Sequence, residues 1–488
     1  KTNSVRSRNS CLDRCSNRVA GNDQLDVLSD FNNRRKQNVT NEPLHQLKYS
    51  LEEQGVRYCL PSYVDIHGVS KSPFVPITPF YRMMAGSELC TGAALDGIPQ
   101  DVSDEEVSSH PDPESLIILP WRKDVAWFAS DLWCEGKPFE PCSRNIFKRV
   151  LSQAADLGYT FNFGIEPEFF LLKHTDDGGF GPISPRDDIA KPAYDIRSTL
   201  DSFELLEEIV ETLDSLGYDV YSYDHEDGNG QFEIDFMYRD GLTMADRFVF
   251  FRHLVQELAH RKGYFASFMP KPFSDRAGSG AHYNMSLADL QSGENLFESD
   301  NDPRGCGITE LGYWFIGGIL KHLPALSAVI SPTVNSYKRL IKTGSMSGFT
   351  WAPVFTCFGN NNRTNSIRIP RGGGRVELRA ADIANNPYLG GAMVLAAGLE
   401  GVREKIDPGL PHTDNMYLKS DVELAELGVG YLPRSLDEAI DALEADDLGR
   451  QVMGDLMYKT YTEFKRAEWD SYLTHVSDWE VDRYLKLW

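Results

Sequence analysis

The sequence predicts an α+β protein, with a small β-rich part followed by a larger part in which one-sided strands are separated by helices. Three observations carry this reading. The stretch Phe161-Asn-Phe-Gly-Ile-Glu-Pro-Glu-Phe-Phe170 alternates, so that Phe161, Phe163, Ile165, Pro167 and Phe169 share one orientation while Glu166 and Glu168 take the other. The same one-sidedness returns in Gln231–Tyr238, Gly280–Leu287, Asn365–Pro370 and Arg375–Arg379. Between these runs the apolar spacing turns helical, as at Arg144–Gly158, Ser202–Leu216 and Thr243–Lys262, and the last hundred or so residues read as mainly helical.

Taken in order, residues 1–45 are polar, carry six arginines from Arg6 to Arg35, and have too few large apolar side chains to offset their ordering entropy. They are expected to be a flexible extension. A targeting peptide is the alternative, against which Asp13, Asp23 and Asp26 argue. Residues 46–138 form the small β-rich domain, with strand signals at Gly55–Leu60, Tyr63–Ile66, Leu116–Pro120 and Val125–Asp131. The turn-rich Glu135–Pro141 marks the boundary, and residues 139–488 form the larger domain.

Composition narrows the function classes. Of 488 residues, 49 are Lys or Arg and 72 Asp or Glu, giving a net charge of −23, which disfavours nucleic acid as a partner. The eight cysteines lack paired spacing, so a reducing cytoplasm is expected rather than a zinc site or disulfide scaffold. No uncharged apolar run reaches the ~20 residues of a membrane span; Tyr313–Ile330 and Tyr388–Val402 read as core helices.

The polar faces are the chemically informative feature. They present Glu166, Glu168, Glu226, Glu233, His282 and Glu377 together with Arg368, Arg375 and Arg379. Taken alone, the first stretch fits a solvated edge strand, His282 a satisfied core histidine, Arg375–Arg379 an exposed ion-pair ladder, and Gly372–Gly374 a flexible turn. Converging, such a charge density requires a wet cavity holding cations and anions. Oxygen donors with one imidazole suit Mg²⁺ or Mn²⁺ better than zinc, and the guanidinium forks suit carboxylate or phosphate oxygens.

Five ordered motifs then carry a resemblance: Gly164-Ile-Glu-Pro-Glu-Phe-Phe170, Gly278-Ser-Gly-Ala-His282, Asn335-Ser-Tyr-Lys-Arg339, Arg375-Val-Glu-Leu-Arg379 and Asn386-Pro-Tyr-Leu389. From about Leu47 onward the chain resembles the glutamine synthetase family, and within it the glutamate–methylamine ligase and γ-glutamylanilide synthase group, through Asp224–Gln231, Ser347–Pro353 and the Trp-rich tail. The resemblance implies a β-grasp domain at 46–138 and a catalytic domain at 139–488 whose antiparallel strands form a funnel. It also implies hexameric rings, stacked as dodecamers, with sites shared between subunits. The implied substrates are ATP, L-glutamate and a primary amine, aromatic like aniline or a small alkylamine, joined through γ-glutamyl phosphate. Two or three Mg²⁺ or Mn²⁺ ions per site are implied, one held by Glu168, Glu226 and Glu233 and another by Glu166, His282 and Glu377. Substrate positions map onto Gly278, Arg339, Arg379, Tyr194 and Asp96, phosphoryl-transfer positions onto Arg363 and Arg368, and nucleotide positions onto Tyr238, Asn284, Ser286, Arg368 and Arg375. A glutamine synthetase using ammonia and a non-catalytic structural protein are the other readings; the latter expects eroded metal ligands, and all six residues are present here.

Two departures bear on the amine. The flap after Arg339 reads Leu340-Ile-Lys-Thr-Gly-Ser345, without the glutamate of ammonia-using members and with Lys342 added. The amine-side Asp-Gly-Ser-Ser pattern is reduced to Asp96-Gly-Ile-Pro99. An ammonium ion is therefore expected to lose a partner and to meet a positive charge, which favours an organic amine. Gly372 stands where relatives carry lysine, and Tyr417, near a position modified in some bacterial members, reads as a surface tyrosine without a regulatory role.

Overall fold

The computed structural model describes residues 42–487; all but the last few residues of the expected flexible extension lie outside that range. Residues 42–45 open the helix Glu42–Glu53. Compactness divides the chain after Val56, and from Arg57 onward it forms one unit built on two large sheets.

In the smaller sheet of eight strands, the two short runs read at Gly55–Leu60 and Tyr63–Ile66 merge into one strand, Tyr58–Val64. It runs parallel to Val125–Cys134, with Tyr58 opposite Val125 and Ser62 opposite Ala129. Val107–Pro111 joins the far side of Val125–Cys134 antiparallel. Val107 and Leu132 are fully buried between this sheet and its cover.

The second sheet has ten strands, and its spine is the 16-residue strand Tyr159–His174. That strand is flanked on both sides, by Gln231–Phe236 and by Ala281–Asp289, so it lies at the sheet's centre and not at a solvated edge. Phe161, Phe163 and Phe169 are buried with the helices Ser143–Asp156 and Gly241–Arg261 packed on them; Phe147 meets the Phe161 ring edge-on at 6.5 Å. Burial of each such ring contributes roughly 1.5–3 kcal/mol, which explains why this face is the one pinned inward. The opposite face, carrying Glu166 and Glu168, is left to the cavity described below.

The helices Glu310–Ile330 and Pro387–Glu404 pack against each other behind the sheet. The first is long and apolar enough to cross a membrane by composition, yet most of it is buried here as core. One polar junction ties the pair to the helix Asp447–Met453: His322 Nδ1 lies 2.6 Å from Asp446 and Nε2 3.1 Å from Glu400. Burial alone would lower the imidazole pKa, but the hydrogen bonds to Asp446 and Glu400 outweigh it and hold the pKa above its ordinary value. A raised folded-state pKa stabilises the fold in full below the ordinary histidine value of about 6.5 and is lost as pH climbs through the raised value. Urea midpoints measured across pH should therefore decline above about pH 6.5, and His322→Gln should flatten that decline.

Candidate active site

Sheet register assembles the site. Asp224 lies opposite Glu233, and Glu233 opposite Glu168. One strand over, His282 faces Glu166, and Asn284 faces Gly164 on one side and Glu377 on the other. Glu377 in turn faces Arg368. Directly opposed side chains sit about 5 Å apart at Cβ, so residues far apart in sequence, such as Glu168 and Glu233 or Glu166 and His282, are forced together.

The side chains interlock accordingly. His282 Nδ1 is 3.5 Å from Glu166 and 3.8 Å from Glu377, while Nε2 is 3.6 Å from Glu168. Two sets of donor atoms come within 4.8 Å of one another: Glu166, His282 and Glu377, and Glu168, Glu233 and His282. Glu377 accepts hydrogen bonds at 2.5 Å from both Arg368 Nη1 and Arg379 Nη1. Arg339 is fixed by donating to the carbonyl oxygens of Ala380, at 3.1 Å, and Arg379, at 3.0 Å. Gln231 Nε2 and the Gly280 amide both donate to Glu168 Oε2, at 3.2 and 2.8 Å, orienting that carboxylate.

A cavity of about 650 Å³ holds all six acidic and imidazole groups together with Gly278, Tyr194, Arg339, Arg363, Arg368 and Arg379. A Cβ at Gly278 would lie 2.5 Å from the Pro270 carbonyl, so only glycine permits this wall. A neighbouring cavity of about 460 Å³ takes Tyr238, Asn284 and Ser286, and Glu166 and Arg375 line both. Its rim is Gly372–Gly374, all at positive φ; a Cβ on Gly373 would meet the Gly307 carbonyl at 2.1 Å. Asn284 donates to Glu166 at 2.9 Å and accepts from Arg375 Nε at 2.9 Å, so it joins the two cavities. Asp96 lines neither cavity and lies 3.8 Å from His67.

Three expectations change. Lys342 does not face the cavity: its ammonium lies 4.8 Å from the centre of the Phe355 ring and 5.5 Å from that of Tyr431, partners the flap sequence could not reveal. Tyr417 is buried rather than on the surface, its hydroxyl donating to the Ala352 carbonyl at 2.6 Å. And the cavity has walls to which the sequence assigns no role, among them Asp224, Asp227, Asp235 and Trp351. Asp235 was legible as the next outward residue after Glu233; Asp227 and Trp351 sit in loops without periodicity.

The electrostatics are those of a crowded anion set. Burial, followed by repulsion from neighbouring carboxylates, pushes Glu226 and Glu233 well above the usual range. Burial and Glu166 push Asp235 up to about 7. Burial and the nearby Arg379 lower His282 to about 3, leaving a neutral imidazole with a lone pair to donate. Burial opposes the charge on Arg379, yet Glu377 more than compensates. Asp224 Oδ1 and Asp235 Oδ1 are buried without a hydrogen-bond partner among the described residues. Hard oxygen donors, one neutral imidazole and unsatisfied carboxylate oxygens fit Mg²⁺ or Mn²⁺, whose charge would offset the repulsion.

The comparison with known proteins gives this sheet and cavity their class, a ligase: residues 140–484 match the glutamine synthetase catalytic domain, and the chain belongs to the glutamine synthetase family. It is 42% identical to the glutamate–methylamine ligase of Methyloversatilis universalis, over 89% of this chain and 98% of that protein. It is 38% identical to a glutamine synthetase of Rhizobium leguminosarum, over 89% of this chain and 98% of that protein. A solved GmaS–ADP complex superposes with a TM-score of 0.83 at 39% identity, covering 90% of this chain and 99% of that one.

Proposed function

We propose that the protein joins the γ-carboxyl group of L-glutamate to a primary amine at the expense of ATP, by way of γ-glutamyl phosphate. The observation that carries this reading is the meeting of six acidic or imidazole groups and five arginines in one cavity, beside a second, less charged one. Similarity to a glutamate–methylamine ligase supports it further.

In this reading Arg339 and Arg379, with the backbone of Gly278, hold glutamate, with Tyr194 at the cavity wall. The nucleotide lies in the smaller cavity against Tyr238, Asn284, Ser286 and Arg375. A γ-carboxylate oxygen attacks the terminal phosphorus of ATP and the bond to the ADP oxygen breaks; Arg363 and Arg368 stabilise charge on the transferring group. The amine nitrogen, once deprotonated to its neutral form, attacks the activated carbonyl carbon; the carbon–oxygen bond to phosphate breaks, phosphate leaves, and the nitrogen gives up a proton to water or to the departing phosphate. Glu168, Glu226 and Glu233 would hold one divalent cation and Glu166, His282 and Glu377 another; such ions neutralise and align the phosphates. Asp96, which does not line its own chain's cavity, suits a site completed by a neighbouring subunit in hexameric rings stacked as dodecamers. A cytoplasmic setting, with its pool of ATP, fits this chemistry.

The test is phosphate release from ATP with glutamate and Mg²⁺ or Mn²⁺, compared across ammonia, methylamine, isopropylamine and aniline. At least one organic amine should support turnover better than ammonia. Turnover with ammonia alone would overturn the proposal.

A further inference from the structure

The flap sequence carries no carboxylate between Leu340 and Pro353, which would leave a positively charged amine without a partner. The structure supplies one from elsewhere. Asp227, in the loop between the strands Val220–His225 and Gln231–Phe236, lines the 650 Å³ cavity and is hydrogen-bonded to the flap. Its Oδ2 accepts from Ser347 Oγ and, at 3.2 Å, from Trp351 Nε1. Trp351 lines the same cavity. Its backbone is held at φ 59°, in the left-handed region disfavoured for a bulky residue. Such strain persists only where the surroundings over-determine it. Here Arg379 Nη2 donates to the Trp351 carbonyl at 3.2 Å, Tyr417 donates to the next carbonyl, and Asp227 holds the indole. Four separate segments thus place one anion and one aromatic side chain together on the cavity wall, while Lys342, the flap's own cation, is turned onto Phe355 and Tyr431.

We propose that Asp227 and Trp351 form the receiving site for the amine substrate and that this substrate is a small protonated alkylamine. This rests on the ligase reading above and names its amine class. The Asp227 carboxylate takes the N⁺–H groups, and the Trp351 indole takes the N-alkyl carbons, a pairing that attracts an organic cation more than bare ammonium. Aniline, uncharged at neutral pH, gains nothing from the carboxylate. The Arg379 bond to the Trp351 carbonyl links this amine wall to a residue assigned to glutamate, so both substrates share one rigid frame.

Steady-state kinetics of the full-length enzyme with methylamine and ammonia test this. Asp227→Asn, which keeps an oxygen able to accept from Trp351, should raise the KM for methylamine about tenfold or more while leaving the KM for glutamate and ATP within about twofold. Trp351→Leu should reduce the preference for methylamine over ammonia by about tenfold. Equal changes in the KM of all three substrates, or an unchanged methylamine-to-ammonia ratio in Trp351→Leu, would overturn the assignment. Should Asp227→Asn fail to fold, the Trp351→Leu ratio still decides. Failure of the underlying ligase reading would show differently: the wild-type enzyme would then turn over no organic amine.

Discussion

Glu233→Gln is expected to make the metal-free protein more stable and the enzyme nearly inactive. Glu233 is directly opposite Glu168 on one strand and Asp224 on another, and Asp235 and Glu226 repel it as well. Desolvation is the largest effect, and it too disfavours the charged form. A carboxamide of the same shape removes both penalties, so the thermal midpoint measured in EDTA should rise, by a gain of about 0.5–2 kcal/mol typical of stabilising substitutions. The same change removes an anionic donor from the group proposed to hold a cation. If that cation supplies several kcal/mol of charge stabilisation at phosphoryl transfer, turnover should fall by roughly 10³-fold. The wild-type protein should close the stability gap on addition of Mg²⁺ or Mn²⁺, because a ligand that binds the native state stabilises it. A variant that is both less stable without metal and still active would show that the carboxylate crowd is not a cation cradle.

The opposite behaviour is expected at Glu377, where the surroundings are cationic. It is 1% exposed and accepts from Arg368 and Arg379. Neutralising it would strand two guanidinium groups. Two carboxylates on one sheet thus differ in their effect on folding because their neighbours differ in sign.

That contrast also shows what the sequence could and could not disclose. Glu166, Glu168, Glu233, His282 and Glu377 were legible because a strand's two-residue period separates a polar face from an apolar one. That period survives any register in which the phenylalanine face is buried. Convergence was not legible from periodicity, since it depends on which strands pair; the ordered motifs supplied it. Loop residues carry no period, and the motifs Asp224–Gln231 and Ser347–Pro353 do not show that they meet. Asp227 follows Glu226 directly but reaches the cavity by way of the turn after Val220–His225, and its partners Ser347 and Trp351 lie more than a hundred residues on. The sequence shows only the charge of Lys342, whereas its direction is set by Phe355 and by Tyr431. Nothing local in the sequence says that the Ala352 carbonyl covers the Tyr417 hydroxyl.

A second large effect is expected far from the cavity, at Arg144. This residue is 2% exposed and sits near the start of the helix Ser143–Asp156. Its guanidinium donates to Asp112 at 2.7 Å, to Asp131 at 2.7 Å, and in a two-pronged fashion to Asp246 at 2.9 and 3.0 Å. Asp246 also accepts from the Tyr388 hydroxyl at 2.7 Å. Asp131 belongs to the smaller sheet, Asp246 to the helix Gly241–Arg261 packed on the larger one, and Tyr388 to Pro387–Glu404. One cation therefore fastens both sheets to the helices between them. Arg144→Met keeps the stem volume but leaves three carboxylates with only Lys148, on Asp131, as a cationic partner among the described residues. Breaking a buried ionic cluster from one side costs about 3–5 kcal/mol, and urea unfolding should show a loss of that size. Arg144→Lys should recover only part of it, because an ammonium group cannot span the fork to Asp246 while reaching the other two. Arg144→Met/Asp246→Asn should lose less than the sum of the separate changes, since the second removes a charge that the first has stranded. A loss below about 1 kcal/mol for Arg144→Met would mean that the apolar faces of the two sheets, and not this junction, set their relation.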